Sequence, residues 1–312
     1  SSFGVAGEVH LSQRSADRPA PRGMNIDKGF VARESQPRQE TLTITRVSST
    51  GSAIDGDVIT IEEPLEIRLA APGLDEFPLA ITMRTPGNDN ELALGFLYTE
   101  GIIRSRDELV TVEHCRPPAG DEGIHNSLRV VLGVGDTFDP ALLERHFYMT
   151  SSCGVCGKTS IEAVMNNSDI KVPQSLTITA EQVQQLPIQL RDQQSEFSAT
   201  GGIHASGLIG PTGNLLRVRE DVGRHNAMDK LIGSLLLDND LPLGANGVVL
   251  SGRASFELVQ KAAIAGAQLI VAIGPPSSLA VALAEQTGIT LAGFVRNNQF
   301  NLYSHAHRLA PA

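Results

Sequence analysis

Apolar and polar residues begin to alternate at Val58–Ile61 and again at Leu65–Leu69, as in half-buried strands, and Phe77–Met83 reads as a third strand. After Asn90 the period changes. Leu92 with Phe96 and Ala93 with Leu97 pair at i, i+4, which predicts a helix ending near Gly101. Leu128–Leu132 is a further strand and Ala141–Met149 a further helix, so the first half reads as an α+β domain over residues 41–150. Residues 151–172 read as a loop and linker with a short helix starting at Ile161, and residues 173–312 as a second, α/β domain.

The second domain has the clearer pattern. Thr179 and Gln182 have the spacing of a capping box before a helix that reaches toward Gln194, with Pro187 expected to bend or split it. Ala205–Ile209 and Leu215–Val218 flank Pro211-Thr212-Gly213-Asn214 as a hairpin, and Met228, Leu231, Ile232 and Leu235 form one apolar helix face. The chain then alternates strand Val248–Leu250, helix Ser255–Ala267, strand Leu269–Ile273, helix Leu279–Thr287 and strand Leu291–Val295. Short apolar strands separated by helices predict βαβ crossovers and a mainly parallel sheet. Ligands of such sheets bind beyond the carboxyl ends of the strands, here Ser251-Gly252-Arg253, Gly274–Ser278 and Arg296-Asn297-Asn298.

Composition narrows the function. The 312 residues carry 25 Lys and Arg against 35 Asp and Glu, a net charge of −10 that argues against nucleic acid as a partner. No apolar run is long enough to span a bilayer; Ala262–Ile273 is interrupted by Gly266 and Gln268. Residues 1–40 mix Arg, Asp, Pro and Ser without an apolar leader, so they read as a disordered extension, and a cytoplasmic location is expected.

Three cysteines are too few for a disulfide scaffold. Cys115 reads as a lone, partly buried thiol. Cys153 and Cys156 form a CxxC pair in the small-residue stretch Ser151–Lys158, a spacing in which one thiol is often held as a reactive thiolate. By itself the pair is ambiguous. Structural zinc needs four ligands, so it would require Cys115 with His114 or His125; a thiol–disulfide oxidoreductase usually opens a helix with its pair; a group carrier suits a glycine-flanked loop. Two further clusters carry charge. Glu220–Asn226 runs straight into a helix, with Asn226 or Asp221 as caps and Arg224 and His225 facing an anion as the functional alternative. Ser251-Gly252-Arg253 joins a strand to its helix, either as a plain capped turn or as a phosphate contact. It has neither the Rossmann nor the P-loop spacing. His204 reads equally as a packed histidine or a site residue.

Taken together these motifs resemble the FdhD family of formate dehydrogenase accessory sulfurtransferases. The likeness rests on Asn90–Leu97 with Glu100–Ile103, Cys153-Gly154-Val155-Cys156-Gly157, Gly201–His204, Glu220–Ala227 with Asp229-Lys230, Ser251-Gly252-Arg253 with Ser255, Glu257 and Lys261, Leu291–Arg296, and Asn301-Leu302-Tyr303. It runs from Asp57 to His305 in unbroken order. The resemblance implies a sulfur carrier that accepts persulfide sulfur from a cysteine desulfurase on Cys153, with Cys156 assisting. The acceptor it implies is a Mo-bis(molybdopterin guanine dinucleotide) cofactor bound as substrate and needed by formate dehydrogenase. It places the cofactor-binding segment on Phe294, Val295, Arg296, Asn297, Asn298 and Gln299, supported by Arg224 and Arg253, and makes GDP a mimic of the cofactor's nucleotide end. It also implies a homodimer and a cytidine-deaminase-like second domain. None of the eight histidines is followed two residues later by Glu, so the zinc site of a deaminase is not expected. A thiol–disulfide oxidoreductase and a cofactor-binding chaperone without sulfur transfer are the alternatives.

Overall fold

Leu65, Ile67, Leu69 and Ala71 form the buried face of a strand in the computed structural model, which describes residues 36–118, 123–133 and 172–310. In the first half, β3 (Glu63–Ala71), β4 (Leu74–Arg84), β5 (Leu109–His114) and β6 (Ser127–Leu132) make a four-stranded sheet of order β4-β3-β6-β5. The sheet is antiparallel except at β3–β6, which are parallel. Helix α1 (Asp89–Thr99) covers it, and its Leu92, Ala93 and Leu97 share one core with Ile67, Leu128 and Val130 of the strands. A separate two-stranded ribbon, β1 (Gln39–Ser48) with β2 (Gly51–Thr60), precedes this sheet and is mostly exposed.

The stretch read as an extension reaches too far. β1 begins at Gln39, and Gln36 is tied to the body through Nε2 to Asp89 Oδ2 (3.0 Å) and through its Oε1, which accepts from His125 N (3.0 Å). Its polar composition concealed residues whose hydrogen bonds are long-range. The helices expected at Ala141–Met149 and after Ile161, and the Cys153–Cys156 loop, lie outside the described residues.

The second half follows the expected order of hairpin, helix, strand, helix, strand, helix, strand. It contains β7 (His204–Ile209), β8 (Leu215–Asp221), α4 (Arg224–Leu237), β9 (Gly247–Leu250), α5 (Phe256–Ile264), β10 (Leu269–Ala272), α6 (Ser278–Thr287) and β11 (Thr290–Arg296). β12 (Gln299–Ser304) completes a six-stranded sheet of order β12-β11-β10-β9-β7-β8. In this sheet parallel pairing is confined to β9–β10–β11, where helices make the crossovers; both flanks turn back through hairpins and are antiparallel, so the sheet is mixed. Strand residues alternate between two cores. Val248, Leu250, Ile270 and Ala272 pack on α4, α5 and α6, whereas Val249, Leu269 and Val271 pack on Val183, Leu186 and Leu190 of α2 (Ala180–Asp192).

Thr179 caps α2 with the expected box, Gln182 N donating to Thr179 Oγ1 (3.1 Å) and Thr179 N to Gln182 Oε1 (2.8 Å). Pro187 does not split α2, which runs on to Asp192 with Pro187 half-way along its length. The break falls later, before the short α3 (Ser195–Thr200). The buried side chains of Val183, Leu186 and Leu190 hold the helix on the sheet despite the missing proline N–H.

The two sheets meet through α1 and α4. A β-carbon built on Gly95 would lie 1.8 Å from the Asp229 carbonyl oxygen, and one on Gly233 would lie 1.8 Å from that of Glu91. The helix backbones therefore touch directly, which leaves no room for any side chain at either position. Around this contact run buried ion pairs whose partners are too far apart in the chain to be matched from sequence. Lys230 Nζ reaches Asp221 Oδ2 (2.7 Å) with both side chains at 0% exposure, and donates to Thr85 O (2.8 Å). Lys261 Nζ donates to Asp229 (2.9 and 3.0 Å) and to Thr99 Oγ1 (2.8 Å), and Arg219 Nη2 donates to Glu91 Oε1 (2.8 Å). Among the described residues, no helix is long and apolar enough to cross a membrane.

A cationic cleft at the ends of the parallel strands

β7 runs antiparallel to β9 with Ser206 opposite Leu250, so His204 at the start of β7 lies at the carboxyl end of β9. The local backbone is drawn together there. Ala205 N donates to Ser251 Oγ (2.8 Å), Gly274 N to Gly252 O (2.9 Å) and Phe294 N to Gly274 O (3.1 Å). These bonds link the ends of β9, β10 and β11 into one surface. Gly252 abuts the His204 ring: a β-carbon there would stand 3.4 Å from Nδ1 and Cε1.

Burial first, and then the charges of Arg224, His225 and Arg253, push the His204 pKa below the usual imidazole value, so the ring stays neutral among cations. Arg253 is exposed and Arg224 is half-buried with an Nε that has no hydrogen-bond partner. His225 is engaged: its Nε2 lies 2.8 Å from Glu257 Oε2 and 3.3 Å from Ser255 Oγ, and the bond to His225 lowers the Glu257 pKa. The starts of α5 and α6 are capped by Ser255 and Ser277, whose side chains accept from the backbone N–H groups of Leu258 and Ala280.

The Glu220–Lys230 motif divides between structure and site. Asp221 is fully buried; Oδ1 accepts from Gly223 N (2.9 Å) and Oδ2 from Thr85 N (3.2 Å). Asn226 donates from Nδ2 to Met83 O (2.7 Å) and accepts from Thr82 Oγ1 (3.1 Å). Neither residue caps α4, whose N-cap is Gly223. Instead both clamp the Val222–Gly223 turn to the end of β4 and so aim Arg224 and His225. Glu220 fixes α3, accepting from Glu196 N and Phe197 N at 3.0 Å each.

The Phe294–Gln299 segment is a hairpin. Arg296 pairs with Gln299, and Asn297 and Asn298 both take positive φ (52° and 55°), the geometry of a type I′ turn that Asn tolerates. Phe294 is also left-handed (φ 54°), where β11 departs from its ladder, and the Arg296 guanidinium stands 5.5 Å from its ring. Val295 is 1% exposed and packs in the α2-side core, so its side chain faces away from any ligand. Gln184 Nε2 donates to Asn298 O (2.8 Å) and ties the turn to α2.

A cleft of about 480 Å³ opens beside His204, with Arg191, Gln194, Phe197, Val222 and Ser251 among its walls. The first three escaped the sequence reading, because they look like the frayed end of an amphipathic helix and only the tertiary fold turns them toward the strand ends. Cys115 sits apart in the first half, its Sγ 3.2 Å from Ser127 Oγ, with the His114 and His125 rings stacked at 4.7 Å nearby. Among the described residues, no group of three or more His, Cys, Asp and Glu side chains is arranged to hold a metal ion.

Fold and site together define a two-sheet α/β protein whose halves are locked by buried charge and whose parallel strands end in a cationic cleft. The model of the FdhD/NarQ family matches residues 60–310, and the chain belongs to that family. It is 44% identical over 269 residues to the sulfur carrier protein FdhD of Mycolicibacterium paratuberculosis, covering 85% of this chain and 97% of the relative. It is 43% identical over 274 residues to the protein of the same name from Streptomyces coelicolor, covering 87% and 95%. A crystal structure described as a candidate formate dehydrogenase accessory protein from Desulfotalea psychrophila has the same fold. Its TM-score is 0.66 at 22% identity, over 88% of this chain and 100% of that one.

Proposed function

We propose that the chain is a sulfurtransferase of the reducing cytoplasm that carries sulfur to a Mo-bis(molybdopterin guanine dinucleotide) cofactor destined for formate dehydrogenase. The observation that carries this reading is the coincidence, in one chain of a family whose members are named sulfur carriers, of a CxxC pair and a cationic cleft. In the first step the Cys153 thiolate attacks the terminal sulfur of a cysteine desulfurase persulfide. The donor's S–S bond breaks, its cysteine leaves as a thiolate, and Cys153 becomes the persulfide. In the second step the Cys156 thiolate attacks Cys153 Sγ, forming the Cys153–Cys156 disulfide and expelling the terminal sulfur as hydrosulfide for the bound molybdenum. The pair loses two electrons, the sulfur gains them, and a cellular dithiol resets the pair. Arg224 and Arg253 hold the cofactor's diphosphate, and the backbone of the Phe294–Gln299 hairpin borders it.

Reconstituted sulfuration of a formate dehydrogenase tests the scheme. Cys153→Ala is expected to be soluble and to transfer no sulfur, and Cys156→Ala to take up sulfur but release it slowly. Full activity with Cys153→Ala would leave the thiols incidental and favour a cofactor chaperone.

A further inference from the structure

Gln194 stands between two helices on the wall of the cleft. Its backbone is committed: the N–H donates to Arg191 O (3.2 Å), and the carbonyl accepts from Ser198 N (3.0 Å) and Ser198 Oγ (2.8 Å). Its side chain is not. The residue is 4% exposed and lines the cleft, yet the carboxamide Nε2 has no hydrogen-bond partner. A buried amide N–H without an acceptor is destabilising, and native proteins retain few of them.

On either side of it are the makings of a planar platform. The Arg191 guanidinium carbon lies 3.9 Å above the centroid of the Phe197 ring, and both residues share the cleft wall with Gln194. Glu220, by accepting from Glu196 N and Phe197 N, fixes the helix that carries the ring. The opposite wall is His204 with Ser251, and beyond it stand Arg224 and Arg253, both close enough to depress the His204 imidazole. One cleft of about 480 Å³ thus has an unpaired amide donor and an aromatic–guanidinium stack at one end and cationic charge at the other. That is complementary to a planar heterocycle bearing a ring carbonyl and linked to phosphates.

We propose that Gln194 is the base-reading residue of the cleft: its Nε2–H donates to the ring carbonyl of a 6-oxopurine nucleoside diphosphate, while Arg191 on Phe197 stacks against the base. This rests on the reading of the cleft as the nucleotide site of the carried cofactor. Guanine and hypoxanthine present an acceptor where adenine presents an amino group, so the same contact discriminates against adenine. Phe294, which the sequence offered as the flanking aromatic, is not among the cleft's lining residues.

Titration calorimetry on the full chain with GDP, IDP, ADP and inorganic pyrophosphate tests the assignment. The wild type should bind GDP and IDP similarly and ADP at least about tenfold more weakly, the size of one hydrogen bond whose loss leaves a group unpaired. Gln194→Leu should weaken GDP and IDP about tenfold and leave pyrophosphate binding unchanged. Its Tm should not fall, because the exchange removes an orphaned polar group. Arg224→Ala should weaken all four ligands. Unchanged GDP affinity in Gln194→Leu, with the Arg224→Ala effect intact, would overturn the role of Gln194 and leave the nucleotide cleft standing. Loss of pyrophosphate binding together with a lowered Tm in Gln194→Leu would make Gln194 a structural residue and overturn it as well. A wild type that binds neither GDP nor pyrophosphate would overturn the nucleotide reading itself.

Discussion

Asp89 shows how much a single carboxylate can hold together. It accepts from Arg84 Nε (2.9 Å) and Nη2 (3.0 Å), from Gln36 Nε2 (3.0 Å), and lies 3.2 Å from His114 Nε2. Burial alone would raise its pKa, but the bonds from His114 and Arg84 and the Arg84 charge outweigh it and hold the value at about 2. Because the folded value lies below the unfolded one, the associated stability is fully present above about pH 4 and is lost as pH falls toward 2; it amounts to roughly 2 kcal/mol. Asp89→Asn is expected to cost about 3–5 kcal/mol at neutral pH, because Arg84 is 0% exposed and would be left unpaired. Urea denaturation between about pH 3 and 7 should also show a flatter acid limb in the variant; an unchanged limb would contradict the assignment. Arg253→Ala tests the cleft at the same scale. It should weaken GDP by about tenfold, at roughly 1.5 kcal/mol per charge-assisted bond, and calorimetry showing no change would remove Arg253 from the site. None of the partners of Asp89 was readable from sequence, since they come from separate segments. Arg224 and Arg253 were, because glycine-bearing turns mark where strands of a βαβ sheet end.

At the scale of elements, the close approach of α1 and α4 is the feature most sensitive to substitution. Gly95→Ala and Gly233→Ala would each force a methyl group to within 1.8 Å of a carbonyl oxygen, so the helices must separate. Each is expected to destabilise by more than about 3 kcal/mol or to prevent folding, although Ala is the better helix former by about 1 kcal/mol. Chemical denaturation showing either variant as stable as wild type would mean that the helices do not touch there. The sequence pattern supplied α1 and α4 as helices but not their contact, because a glycine on a helix reads only as a weak position. It supplied β3, β4 and β6 through β11 within a few residues. It missed β1, whose exposed faces carry Thr and Arg in place of apolar residues, and β5, whose Leu109 and Val112 are buried but stand three residues apart across a bulge. β12 was missed as a strand because its turn, Asn297-Asn298, lacks the glycine that usually marks a type I′ hairpin.

For the whole molecule, the buried ion pairs between the halves decide how it unfolds. Asp221 with Lys230 grips Thr85 of the first half, Asp229 with Lys261 grips Thr99, and Arg219 grips Glu91. Neither half can leave without exposing charges and stranding their partners, so a single calorimetric transition is expected, with equal calorimetric and van't Hoff enthalpies. Two separate transitions would contradict this coupling. The same arrangement gives the run of charges from Arg219 to Lys230 two uses that sequence alone could not separate: the inward residues brace the halves, and Arg224 and His225 are thereby held at the cleft. The central claim concerns the thiols, and the most direct measurement is the intact mass of the chain after incubation with a cysteine desulfurase and cysteine. The account predicts the gain of one sulfur atom, absent in Cys153→Ala and reversed by cyanide; an unchanged mass in the reduced wild-type chain would contradict it.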